Sequence, residues 1–447
     1  MGRLLRPALL ATCALALAAA LTILASITIG SSSPGPSTGR VFNGAGAPSA
    51  LGPGAISDPA TYIPTLQNRL RQTPGDQRGW STLVLAYVEQ ARITADPTYY
   101  GKADKALARA RRLAPGDAVM LTATAALENA RHDFRDALEA ADRAVKVNPR
   151  SGAANAYRAD ALTELGRYDE ARRAAHRADN LNPGPSTFAR LSYAAELRGN
   201  LEEATRLMRL SRDAAGTSAA SFAFAAYHLG ELERIQGNSR AAGRFYAAAL
   251  DADKTYMPAY AGRARLAVAR GDIVAAERDY TEVVRRLPLQ EYLVELGELY
   301  LATDRPDLAK QQFAVSTATA ALAKANGVLV DLETAFFEAD HGSPGAALEA
   351  ARTEWDYRQS IFSADALAWA LHKNGEDTEA LGYSRLATRL GTQDARMLYH
   401  RGAIEVALGM DVPARKHLRA SLAIDNGVAP WREGLARDLL GRLRTST

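Results

Sequence analysis

Cysteine is all but absent. Cys13 is the only one in 447 residues, so the chain closes no internal disulfide and builds no cysteine-based metal site. Its stability has to come from the packing of its own elements. Leu10-Ala11-Thr12-Cys13 departs from a lipid-acceptor site at Thr12 and in the apolar run that continues past the cysteine, which leaves Cys13 an inert thiol in an apolar segment. Blocks of like charge are missing too. The 54 Lys and Arg and 50 Asp and Glu are interspersed, giving a net charge of +4 and a pI near 9.0. Such mixing speaks against a nucleic-acid surface. Among the seven histidines none forms H-x-x-x-H or H-E-x-x-H, and neither S-x-x-K nor a phosphate loop G-x-x-x-x-G-K occurs. Asp251 and Asp253 mimic a paired-carboxylate site, but they fall at a helix end, where a solvated turn is expected. The expectation is a protein that is not an enzyme and holds no metal and no cofactor.

What is present is a period. Gly166, Gly199, Gly237, Gly271, Gly342, Gly375 and Gly409 recur at gaps of 33, 38, 34, 71, 33 and 34 residues, with Asp304 standing inside the double gap. An alanine follows five residues after each mark, from Ala171 through Ala204, Ala242, Ala276, Ala309, Ala347 and Ala380 to Ala414, and His132 with Ala137 extends the series backwards. A fixed period of this length marks a repeat architecture. Within residues 151–183, Ala154, Tyr157, Ala161 and Leu165 recur at helical spacing, and after the break so do Tyr168, Ala171, Ala174, Ala175 and Ala178. Gly166 suits the positive φ that ends a helix. Asp169 suits the first turn of the next helix, and Asn182 before Pro183 stops it. Each unit is therefore an antiparallel helix hairpin, closely packed at Ala171 and Ala178, and the chain is an all-α solenoid.

The pattern resembles the tetratricopeptide repeat family over residues 78–427. The matching residues are Trp80, Leu83, Tyr87, Ala103, Leu107, Ala110 and Pro115 in the first repeat. Later repeats offer Leu229, Gly230, Ala242, Tyr246 and Ala249, then Leu296, Gly297, Tyr300, Ala309 and Phe313, with Pro149, Pro183 and Pro288 ending three others. The first repeat carries an insertion at 92–100, and longer connections or helices are expected near 211–221 and 317–327. The resemblance implies a right-handed α-solenoid of about ten hairpins. It also implies that first helices line a concave groove. Carrying the groove positions over gives Tyr193, Phe224, Tyr227, Arg234, Arg265, Phe336, Phe362, Asp365, Trp369, Arg396 and Tyr399. This is an aromatic and arginine-rich line of the kind enriched at interaction hot spots. The three arginines are expected in the groove, because a core rarely buries unpaired Arg. The family's clamp for C-terminal carboxylates uses Lys and Asn; Asp160, Glu231 and Arg265 stand at those positions here, so a chaperone-tail function does not follow.

Residues 8–29 carry no charge and follow Arg3 and Arg6. As a helix they would span about 33 Å, enough for a bilayer core, and the preceding arginines would keep the N-terminus inside. An uncleaved anchor and a signal peptide cleaved after the Ala18/Ala20 pair are both open. No other uncharged apolar run reaches 18 residues. Residues 31–60, rich in Ser, Gly, Pro and Ala, read as a flexible linker. The expected organisation is signal or anchor at 1–30, linker at 31–60, solenoid at 61–428 and a capping helix and tail at 429–447. In that last helix Trp431, Leu435 and Leu439 form the apolar stripe. The expected function is a non-catalytic interaction scaffold or adaptor of the cell envelope, exported and anchored or secreted. Its partner would be a protein or peptide segment along the groove, with the membrane engaged through 8–29 and no nucleic acid. The alternative is an accessory or carrier subunit in export or assembly of an envelope component.

Overall fold

The computed structural model describes residues 59–445. The expected span over 8–29 lies outside the described residues, as does the linker, except that its last two residues, Pro59 and Ala60, open the first helix. Among the described residues no helix is long and apolar enough to cross a membrane.

Helix α1 is Pro59–Gln72, and ten hairpins follow. The first five are α2 (Gln77–Thr94) with α3 (Thr98–Leu113), α4 (Ala118–Ala130) with α5 (Phe134–Val147), α6 (Gly152–Glu164) with α7 (Tyr168–Leu181), α8 (Pro185–Glu196) with α9 (Leu201–Asp213), and α10 (Ala219–Ile235) with α11 (Ser239–Ala252). The second five are α12 (Met257–Ala269) with α13 (Ile273–Arg286), α14 (Gln290–Ala302) with α15 (Pro306–Ala325), α16 (Asp331–His341) with α17 (Pro344–Tyr357), α18 (Ile361–Lys373) with α19 (Asp377–Ala387), and α20 (Ala395–Ala407) with α21 (Asp411–Asp425). The chain closes with α22 (Pro430–Thr445).

Local signals place the helix ends. Ser151 Oγ accepts from the Ala154 amide 3.1 Å away and starts α6, while Asp169 and Glu170 occupy the first turn of α7. Eight of the nine period marks, His132, Gly166, Gly199, Gly237, Gly271, Asp304, Gly375 and Gly409, have positive φ. Gly342 does not: its φ is −132°. There Ser343 caps α17 and Pro344 stands at its first position, which imposes an extended residue before it. Inside a hairpin the two helices touch through absent or small side chains. A Cβ on Gly230 of α10 would lie 2.6 Å from Cδ1 of Tyr246, the fully buried ring of α11. The alanines five after each mark are buried throughout. The length irregularities fall where the spacing placed them: α2 is 18 residues long and α15 is 20.

Two features go beyond a simple stack. Each second helix packs on the first helix of the next hairpin, except that α15 packs on α14 and not closely on α16. Only side chains cross there, with the Phe313 ring 4.3 Å from His341 and 5.8 Å from Phe337. The α15–α16 connection docks elsewhere: the Leu329 amide donates to the Arg131 carbonyl at 2.9 Å, and His132 Nδ1 lies 3.0 Å from the Leu329 carbonyl. That contact begins a seam along which the last three hairpins rest on hairpins two to four. Tyr357 Oη donates to Asp133 at 2.8 Å, 224 residues away. Tyr168 Oη accepts from the Ile361 amide at 2.8 Å, 193 residues away. Arg358 is buried between Glu164, at 2.8 Å, and Glu354. Thr392 Oγ1 donates to the Leu197 carbonyl. At the seam the turn glycines have a second duty: a Cβ on Gly166 would sit 2.8 Å from the Gln359 carbonyl carbon and nearer still to its oxygen.

In α22 two of the three residues of the expected apolar stripe face inward, Trp431 against His341 and Leu439 on the core, and Leu435 does not. Ala436 and Leu443 are buried and Leu439 and Leu440 pack beside them, while Leu435 is among the exposed apolar residues. The helix packs on α21, α20 and α14 at once, so its inward face is set by three neighbours and not by the last hairpin alone.

Candidate functional site

First helices supply nearly the whole wall of an axial cavity. Its two lobes, about 280 and 310 Å³, share Arg234, Glu291, Glu295, Glu298, Asp394 and Arg432. Tyr193 and Glu196 enter from α8, Tyr227, Glu231 and Arg234 from α10, Arg265 from α12, and Phe336 and Asp340 from α16. Phe362 comes from α18 and Arg396, Tyr399 and His400 from α20. Residues 425–432, the turn into α22, close one side. A larger recess of about 550 Å³ lies at the seam between Arg135, Arg167 and Gln359, an open hollow with charged side chains of both signs around it.

Arginine organises the cavity wall. Arg265 is buried and meets three carboxylates, Glu291 at 2.8 Å, Glu295 at 2.7 Å and Glu231 at 3.4 Å, with Tyr227 Oη at 3.3 Å. These carboxylates outweigh the burial that opposes its charge and hold its pKa well above the usual value. Burial alone would push Glu231 up, but Arg234 at 3.0 Å and Arg265 overcome it and hold the carboxyl at about 2. Arg432 makes a two-pronged contact to Asp425 at 2.8 and 3.0 Å. His341 Nε2 lies 3.1 Å from Glu298, and the Trp431 ring stands 5.0 Å from His341. Arg396 stacks over Phe336 with its guanidinium carbon 3.8 Å from the ring centre.

Glu196 differs from these. It makes no hydrogen bond or ion pair among the described residues, and burial followed by Glu231 and Asp394 raises it to about 7 against the weaker pull of Arg234. Burial likewise raises Glu291 despite its contact with Arg265.

Seven of the nine groove residues expected from the sequence, Tyr193, Tyr227, Arg234, Arg265, Phe336, Arg396 and Tyr399, line this cavity. Asp365 and Trp369 stand behind its wall. Asp365 is buried against His400 Nδ1 at 3.0 Å, and Trp369 stacks on the His400 ring at 4.1 Å while Nε1 donates to Asp340 at 2.8 Å. Phe224, also expected there, packs on His228 at 4.3 Å instead. Arg265 is in the wall, though as a buried, fully paired group. Apart from Glu231, which stood at a clamp position, the carboxylates of the cavity were missed. Glu196 follows Tyr193 by three and Asp340 follows Phe336 by four. The same helical face would have delivered them. Asp251 and Asp253 form no shared site: Asp253 accepts from the Thr255 amide at 2.9 Å.

Ten antiparallel hairpins with small residues at the crossing and a wall of first helices define a tetratricopeptide-type α-solenoid. No protein-family model matches the chain, and no curated protein matches it. Solved structures with a similar arrangement include a tetratricopeptide repeat protein from Parabacteroides merdae, with 18% identity over 58% of this chain and 98% of that one and a TM-score of 0.33. Human IFIT1 bound to m7Gppp-AAAA shows 14% identity over 74% of this chain and 77% of that one, with a TM-score of 0.46. The type IV pilus biogenesis factor PilW shows 19% identity over 45% and 92%, with a TM-score of 0.38. The assignment of the fold rests on the hairpins of the chain itself.

Proposed function

We propose that this protein is a non-catalytic interaction scaffold that receives a segment of a partner protein in its axial cavity. The observation that carries the reading is the convergence of seven first helices on one concave space that offers aromatic faces and oriented polar groups together. Lobes of about 280 and 310 Å³ are too small for a helix hairpin and suit a short extended segment with side chains projecting from it. Nine carboxylates line the two lobes, Glu196, Glu231, Glu291, Glu295, Glu298, Glu333, Asp340, Asp394 and Asp425, against four arginines, Arg234, Arg265, Arg396 and Arg432. That balance repels a phosphodiester backbone, which supports a protein partner over a nucleic acid.

A photo-crosslinking residue at Phe336, inside the cavity, is compared with one at Val412, which is 82% exposed on the outer helix α21. The reading expects protein adducts from position 336 and none of the same adducts from 412. Adducts only from 412 would move the working surface outside.

The export and membrane tethering of the solenoid are also part of this proposal. Their support is the uncharged segment 8–29 behind Arg3 and Arg6. Fractionation of the full chain, with protease added to intact cells, tests it: a solenoid that stays protected and soluble would refute it.

A further inference from the structure

The carboxylates of the cavity outnumber the cations that could neutralise them, and the surplus is not evenly shared. Arg265 serves three carboxylates, Arg234 is committed to Glu231, and Arg432 to Asp425. Arg396 stacks on Phe336 and leans toward Asp365 at 3.8 Å, behind the wall. Nothing cationic is left for Glu196, which has no ion pair among the described residues. Glu333 has none either, and its Oε2 is buried with no hydrogen-bond donor; Glu291 Oε2 is orphaned in the same way although its other oxygen meets Arg265. A buried carboxylate oxygen without a donor is costly, and a chain tolerates it where an incoming group supplies the donor.

These three carboxylates are spread over α8, α14 and α16, so they frame the cavity and do not form one cluster. Tyr193, Phe336 and Phe362 stand among them. The pairing of Arg396 with Phe336 shows that this wall already holds a guanidinium against an aromatic face. Lysine or arginine on an extended chain meets both demands, with its apolar stem along the rings and its charged head on a carboxylate.

Resting on the scaffold reading above, we propose that the partner segment is basic, an extended peptide whose Lys or Arg side chains enter the cavity and pair with Glu196, Glu291 and Glu333. An acidic or neutral segment would leave the orphaned oxygens unmet and add to the surplus of negative charge. Glu196 faces Glu231 and Arg234 from α10 and Asp394 from the turn before α20. A cation arriving there favours its ionised form, so binding releases protons near neutral pH.

The test uses the full chain and three fluorescein-labelled nonapeptides that alternate glycine with arginine, glutamine or glutamate. Anisotropy gives affinity, and calorimetry in two buffers of different ionisation enthalpy gives the protons released. The proposal expects the arginine peptide alone to bind, to weaken about tenfold in Glu196→Gln as one charge-assisted contact is lost, to keep its affinity in Asp142→Asn on the outer surface, and to release protons in the wild type. It is overturned if the glutamine or glutamate peptide binds as tightly, if Glu196→Gln binds unchanged, or if no protons are released. It is also overturned if spermine binds and displaces the arginine peptide while the peptide makes no cross-link at position 336, since the cavity would then take small polyamines. An acidic or neutral partner cross-linked at Phe336 sinks this inference and leaves the scaffold reading standing. Absence of any adduct or bound peptide sinks both. Glu196→Gln removes a charge without changing shape, and its thermal melt reports whether it is folded.

Discussion

Gly166 and Gly237 occupy the same place in their hairpins and have nearly the same backbone, with φ of +76° and +82°. They differ in what lies outside. A Cβ on Gly237 meets nothing within 4 Å, while one on Gly166 would lie 2.8 Å from the Gln359 carbonyl carbon and 3.1 Å from Ser360 Cα. Alanine at either site incurs the left-handed strain of about 1–2 kcal/mol. At Gly166 the seam must also open by about 1 Å to restore an ordinary contact with the Gln359 carbonyl oxygen, the nearest atom. That movement stretches the bond from the Ile361 amide to Tyr168 Oη, now 2.8 Å, and the contact of Arg358 with Glu164, also 2.8 Å. A buried amide left without a good acceptor costs about 1–3 kcal/mol. Gly166→Ala should therefore lose about 2–5 kcal/mol and Gly237→Ala about 1–2 kcal/mol. Urea unfolding measures both, and hydrogen exchange at the Ile361 amide should accelerate only in Gly166→Ala. If the two variants unfold within about 1 kcal/mol of each other, beyond extrapolation error, the turns do not bear on one another as described.

Arg358→Ala leaves Glu164 and Glu354 buried without their cation and should cost about 3–5 kcal/mol, against a much smaller loss for Arg358→Met with both glutamates changed to Gln; thermal melts compare them. Ala380, fully buried under the α18–α19 crossing, should lose about 1–3 kcal/mol as Leu, and a melt identical to wild type would mean the helix crossing is elsewhere. Glu196, raised from 4.5 to about 7, favours the neutral form in the fold. Its contribution is therefore present at low pH and is lost as pH rises from about 4.5 to about 7, a change of up to about 3 kcal/mol by linkage. Glu196→Gln should flatten the stability profile in that window, and wild-type and variant profiles of the same slope would remove Glu196 as the cause.

The repeat was legible because its determinants are local. Positive φ selects Gly, or His132 and Asp304, at fixed spacing, and a hairpin crossing selects Ala five residues on. The groove was largely legible too, because a first-helix face follows from helical periodicity once the hairpin is known. What escaped depends on contacts between repeats, adjacent or distant. Arg265 sits in the wall as a paired, buried ion because its carboxylates come from α10 and α14. Trp369 was drawn behind the wall by His400 from the next hairpin. On α22 the buried position is Ala436 and not Leu435 because α14, with three hairpins between them along the chain, also packs on it. The seam leaves no periodic trace: Tyr357, Arg358 and Gln359 look like an ordinary connection until Asp133, Glu164 and Gly166 are brought against them.

That seam changes the kind of object a repeat protein is. An open array has short-range topology, frays from its termini and adds stability unit by unit. Joining residues 193 to 224 positions apart raises the contact order and turns the middle of the chain, residues 219–325, into a loop fastened at both ends. Loop closure then enters the folding barrier, so refolding should be slow for an all-helical protein. Once closed, that loop cannot flex in curvature as an open array does. The three hairpins it contains carry Arg234, Arg265 and Glu291, and they meet an incoming chain already in place, with little ordering left to do on association.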